Sequence, residues 1–178
     1  MTMYRDPIIW HGEQQLLGEE VKVYTNDSTI RWAHVINQAL VVEQKDTIHY
    51  NQVSGKEMKA YFVDGEMRQV DVNGNVLVVF YPIDEKDSTF IGLNHAEGGF
   101  LRMLLKERRM DKGAFIGKAG GTLYPMSQIP PDQYRLSTFA WFPEIRPRNK
   151  GDIFEWRGKP QGQELRKSDR KPQSSPRE

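Results

Sequence analysis

An all-β fold built from tandem units is what this sequence predicts, on three observations. The segment Gly18 to Asp27 (GEEVKVYTND) returns as Gly55 to Asp64 (GKEMKAYFVD), 37 residues later (55 minus 18), and a repeat of that length marks one supersecondary unit used more than once. Within each copy one set of side chains alternates with another: Val21, Val23 and Thr25 with Lys22, Tyr24 and Asn26, then Met58, Ala60 and Phe62 with Lys59, Tyr61 and Val63. That period of two belongs to a strand with two unlike faces. Asn, Asp and Gly stand where the alternation breaks, as turns require.

The elements follow in order. Each unit is preceded by a short strand opened by an aspartate, over Asp6–Trp10, Asp46–Tyr50 and Asp87–Ile91. The alternating strand comes next and ends in a hairpin turn, Asn26-Asp27-Ser28 in the first unit and Asp64-Gly65 in the second. The copies then stay aligned without a gap: Ile30-Arg31 falls on Met67-Arg68, Val35 on Val72, Asn37 on Gly74, and Leu40 to Val42 on Leu77 to Val79. Second turns are expected at Asn37 and at Asn73-Gly74-Asn75. After them, Ala39–Val42 and Val76–Tyr81 read as short, nearly all-apolar strands, the most buried of the fold.

A third, more divergent copy lies at an offset of 43 (98 minus 55), where Gly98, Leu101-Arg102, Glu107, Met110 and Gly117 fall on Gly55, Met58-Lys59, Asp64, Met67 and Gly74. Gly98-Gly99 and the run Lys106 to Arg109 replace its alternating strand and Asp-Gly turn, so a distorted hairpin is expected. Roughly four strands in each of three units gives about twelve antiparallel strands, stacked as a solenoid or jelly roll.

Composition fits one folded domain with a modest core: 178 residues, 38% hydrophobic and 28% charged. The formal net charge is +1, unevenly spread. Residues 146–178 carry ten Lys or Arg against five Asp or Glu, so this end is about +5 and the rest about −4. The segment 148–178 offers little to bury beyond Phe154 and Trp156 and is expected to be a flexible tail. Such a tail either touches phosphates or an anionic membrane surface, or is a solvated end without a partner. The first six residues do not read as a signal peptide, and the chain opens within a strand signal. That suggests a piece of a longer protein, with any export signal upstream. No apolar run approaches the roughly 20 residues of a membrane-spanning helix.

Catalytic and metal constellations do not emerge. There is no cysteine, and His11, His34, His49 and His95 fall in different units without ligand spacing. Glu19-Glu20 and Asp84 to Asp87 lack the alternating ligands and glycine of a calcium loop and read as turn and edge charges. Gly117 to Thr122 lacks the Gly-Lys-Ser/Thr ending of a phosphate loop and reads as a turn between strands. Neither Ser88 nor Ser137 stands in a Gly-x-Ser-x-Gly elbow. No enzyme and no cofactor are expected, and a cupin-type jelly-roll enzyme would need the clustered metal ligands that the scattered histidines do not supply.

The repeated Gly-x-x-(Met/Val)-x-x-Tyr-x-x-Asp strand, Asn51 to Gly55, Ile91 to Glu97, and above all Leu123 to Asp132 (LYPMSQIPPD) followed by Arg135 to Pro147 (RLSTFAWFPEIRP) carry a resemblance. Over residues 4–147 the chain resembles the C-terminal part of the OstA-like proteins of Bacteroidetes, related to the lipopolysaccharide-transport protein LptA and to the N-terminal domain of LptD. The resemblance implies an open, twisted antiparallel β jelly roll, or β-taco. It further implies a periplasmic place, associated with outer-membrane biogenesis, and a non-enzymatic role carrying or bridging lipopolysaccharide, with other Lpt-type proteins or further copies as end-to-end partners. No nucleic acid is expected as a partner.

On that reading Leu40, Val42, Met58, Phe62, Leu77, Val79, Leu101 and Met103 are expected to face one interior that shields lipid A acyl chains. Methionines at repeat positions (Met58, Met67, Met103, Met110) suit an irregular ligand, and equally fill a dry core. Arg102, Arg108 and Arg109 are candidates for lipid A phosphates at a groove rim, or are ordinary solvent-exposed charges. The edge around Ile8 to Trp10 is expected to be free for strand addition, and Pro130-Pro131 with Pro143 and Pro147 to end pairing at the far side. The alternative to a lipid carrier is an adaptor that offers strand edges to an outer-membrane partner without binding lipid.

Overall fold

The structure, a computed structural model, describes residues 1–152 except 28, 107, 108 and 150, and at 109 and 110 it describes the backbone only. One antiparallel sheet contains all nine strands: β1 (Thr2–Tyr4), β2 (Ile8–His11), β3 (Gln14–Leu17), β4 (Glu20–Asn26), β5 (Thr29–Gln44), β6 (Tyr50–Val63), β7 (Glu66–Phe80), β8 (Gly92–Lys106) and β9 (Arg109–Pro125). Short 3-10 turns follow, at Met126–Gln128, Pro131–Gln133 and Pro143–Ile145. β5 accepts β4 along its first half and β3 along its second, while β1 pairs with β4 and β2 with β3. Residues 2–11 and 14–26 therefore act as two further long strands, each interrupted in the middle.

The antiparallel all-β architecture agrees with the sequence, but the strands are fewer and longer than the dozen expected. Asn37 and Asn73-Gly74-Asn75 are not turns. They are bulges inside β5 and β7, where the register shifts between Ile36 and Ala39 and between Asn73 and Val76. Asn37 (φ 56°), Gln38 (φ 48°), Gly74 (φ 80°) and Asn75 (φ 49°) take the left-handed conformation that a tight turn also uses, so their composition announces a break without saying which kind.

Two of the expected aspartate-led strands are loops. Asp46 Oδ1 accepts the N–H groups of Ile48 and His49, at 2.9 and 2.7 Å, and Asp87 Oδ1 accepts that of Thr89. Gly117 to Thr122 lies within β9 rather than in a turn. In the third hairpin Lys106 pairs with Arg109 after a register shift at Leu104 and Leu105, and the turn expected to be distorted, at 107 and 108, lies outside the described residues.

The bulges form a column across the sheet. Opposite the left-handed pairs stand Gly18, Gly55 and Gly98, at matching repeat positions. A Cβ on Gly18 would lie 2.3 Å from Val35 Cγ1, on Gly55 2.5 Å from Val72 Cγ1, and on Gly98 2.6 Å from Phe115 Cδ1. The repeat keeps glycine there because the next strand crosses too closely for any side chain. Bulges bend the strands that carry them, so aligned bulges bend the whole sheet. That bend accounts for the burial of one face: Val21, Val72 and Val76 are fully buried on it, although the segment that follows β9 packs against the opposite face.

That segment, residues 126–146, runs back from the end of β9 across the outer face of the second half of the sheet. Leu136 enters a cluster of Leu77, Val79, Tyr81 and Leu93, and Phe142 enters one of Leu17, Leu40, Val42 and Tyr50.

Candidate functional site

The inner face consists of apolar rows that cross the sheet in register. Val21, Val35, Met58, Val72, Leu101 and Phe115 are successive partners from β4 to β9. In the second half Leu16, Val41, Val53, Val78, Ala96 and Gly121 form the corresponding row, which shrinks from leucine to glycine toward β9. The middle of this face is dry, with Met58 and Leu101 at 3% and 5% exposure. Its margin, formed by Phe62, Met67, Met103, Leu105 and Phe115, is half-buried.

The eight expected groove residues do not share this face. Met58, Phe62, Leu101 and Met103 belong to the inner cluster. Leu40 and Val42 lie on the outer face under Phe142, and Leu77 and Val79 lie there beside Leu136. β5 and β7 keep one set of inner positions through their bulges, Val35, Ala39 and Val41 in β5 and Val72, Val76 and Val78 in β7, so the alternate residues Leu40, Val42, Leu77 and Val79 face out. An all-apolar strand offers no polar row to say which side faces in.

The basic candidates also part. Arg102 sits on the outer face of the first half, where its Nε and Nη2 donate to the two Asp71 carboxylate oxygens at 2.8 and 2.9 Å, and the Asp71 partner raises its already high pKa. Its paired donors are thus committed within the chain rather than turned to a groove rim. Arg108 lies outside the described residues, as do 153–178 of the expected tail, and of Arg109 and Met110 only the backbone is described.

His34 meets Glu57 at 2.8 Å and His49 meets Asp46 at 2.6 Å, in separate places. Among the described residues no three His, Cys, Asp or Glu side chains converge. Glu19 serves the bend: its carboxylate accepts from Asn37 Nδ2 and Gln38 Nε2, both at 3.1 Å. Asp84 closes a turn through the N–H of Lys86.

One sheet edge is where it was expected and the other is not: among the described strands β2 pairs with β3 alone, so Ile8 to Trp10 lie on an edge. The N-terminal edge is short, three residues in β1 and four in β2. On the far side β9 offers 17 residues with no described strand beyond them, and its Ile116 and Leu123 are each 55% exposed. The proline cluster does not cover this edge, because it belongs to the segment folded onto the outer face.

Sequence reasoning missed Gln15 and Gln52. Both are fully buried, and both hold the returning segment. Gln15 donates to the Ala140 carbonyl at 2.9 Å and accepts from the Phe142 N–H at 2.8 Å. Gln52 donates to the Tyr134 carbonyl and accepts from the Leu136 N–H, both at 2.8 Å. The available signal was their separation of 37 residues (52 minus 15), the repeat length itself. Arg135 adds a clamp, with Nη2 donating to the Ile48 carbonyl and its guanidinium 4.4 Å over the Tyr50 ring.

A scan against protein-family models found no match, and neither curated proteins nor solved structures gave one.

Proposed function

We propose that this protein binds lipid non-enzymatically, holding acyl chains along the inner face of a β jelly roll of the β-taco kind, and that it carries or bridges lipopolysaccharide between the membranes of the periplasm. The observation that supports the reading is the inner face itself, crossed by apolar register rows, closed in its middle and half-open along Phe62, Met67, Met103, Leu105 and Phe115. Each methylene moved from water to such a surface gains about 0.8 kcal/mol, so several chains are held without directional contacts. The narrowing of the second-half row to Ala96 and Gly121 favours the β9 end as the wider one. The resemblance of residues 4–147 to OstA-like proteins supports lipopolysaccharide as the cargo.

The test is retention. Purified protein mixed with lipopolysaccharide is expected to co-elute with it and to release a fluorescent fatty-acid probe in proportion. Protein that neither retains lipopolysaccharide nor takes up the probe contradicts the reading.

The β9 edge favours a second reading, an adaptor that adds a partner's strand. β9 runs in the same direction as β1 and β2, because the long strands alternate. A copy stacked head to tail would therefore offer a parallel strand, whereas every pairing inside this sheet is antiparallel. The better partner is a strand of another protein. Capture of an outer-membrane partner by lipid-free protein, lost when Ile116 and Leu123 become lysine, would favour the adaptor.

A further inference from the structure

We propose that the outer face of the second half of the sheet is a polypeptide-binding track encoded by the repeat, with one station in each of the first two units, now occupied by the chain's own residues 134–142. A station has two parts. A buried glutamine donates to the carbonyl of one residue and accepts the N–H of the residue two further on, and an apolar cup takes the side chain of that second residue.

Gln15 reads Ala140 and Phe142, and Gln52 reads Tyr134 and Leu136. The cups repeat too, since Leu40 and Val42 under Phe142 correspond to Leu77 and Val79 beside Leu136. One step of 37 residues along the sheet moves the bound segment back by six (140 to 134, 142 to 136). Two strands span only about 10 Å, and six residues fit that distance because the segment turns between stations, with the Phe139 N–H donating to the Leu136 carbonyl at 2.9 Å.

The reading stops after two stations for a chemical reason. In the third unit His95 stands where glutamine stood, and six residues before Leu136 comes Pro130, which has no N–H to offer. The occupant this track selects is a polypeptide whose backbone is open at two such triplets, each ending in a large apolar residue, six positions apart. It lies on the face opposite the proposed lipid surface, so it stands or falls separately.

The probe is a labelled synthetic peptide of residues 131–146, added to the full chain carrying Leu136→Ser and Phe142→Ser. Saturable binding is expected, at least tenfold tighter than to the unaltered chain, whose own segment competes, and weakened tenfold or more by adding Gln15→Met and Gln52→Met. A folded variant that does not bind, or binding indifferent to the glutamines, overturns the proposal. Should the serine variant not fold, a protease site inserted between Ser127 and Gln128 decides. The cut fragment is expected to stay with the body and to exchange with the labelled peptide. Its prompt loss, or its failure ever to exchange, overturns the track.

Discussion

Gly55 shows how one missing side chain shapes this molecule. The space its Cβ would need is filled by Val72 Cγ1 at 2.5 Å and the Asn73 carbonyl oxygen at 3.3 Å. Gly55→Ala is expected to cost about 1–3 kcal/mol through overpacking, with part recovered in the double variant Gly55→Ala/Val72→Ala. Urea midpoints of the single and double variants measure this, and additivity of the two costs would contradict it. Tyr81 poses the opposite case. It is 1% exposed, its hydroxyl has no hydrogen-bond partner among the described residues, and burial pushes its pKa up to about 12. A buried unsatisfied hydroxyl costs roughly 1–3 kcal/mol, so Tyr81→Phe is expected to raise the thermal midpoint rather than lower it. At this scale the repeat glycines were legible in the sequence, because nothing else substitutes for them. The buried glutamines were not, since a polar residue in an apolar strand looks like a solvent-facing one until its partner segment is in place.

The strands were legible as β and illegible in length. Alternation survives in β4 and β6, where one face meets water. It fades in the second halves of β5 and β7, where the outer face is covered by residues 126–146 and both faces are apolar. The hairpins at Asn26–Thr29 and Val63–Glu66 stood where the turn residues put them, while identical chemistry at Asn37 and Gly74 made bulges.

The loop between β5 and β6 carries a pH prediction. Burial raises the Asp46 pKa, but hydrogen bonds from the His49 side chain and from the His49 and Ile48 N–H groups outweigh it, so it falls below the usual 3.8. A carboxylate depressed in the folded state contributes stability above its unfolded value and loses it as the pH falls through the folded one. Asp46→Asn is therefore expected to destabilise at neutral pH, with the gap to the unaltered chain closing below about pH 3.8. The effect is modest, because the Asp46 side chain is 41% exposed. Urea midpoints across pH 2–7 check it, and a constant gap would contradict the assignment.

At the scale of the whole molecule, one bent sheet has two apolar surfaces with different fates. The outer one in the second half is filled by the chain's own returning segment. The inner one keeps a half-open margin. Four of the eight residues expected to line a groove fell on each, since Ala39–Val42 and Val76–Val79 are apolar on both sides and carry no polar row to mark which one faces in. The proposed lipid function rests on that division, so it is tested by the same division. A photo-crosslinking residue placed in turn at Phe62, at Tyr61 and at Val79 samples the inner margin, the exposed outer face and the covered outer face. In living cells, capture of lipopolysaccharide at position 62 alone is the predicted result; equal capture at all three, or none at 62, would contradict it.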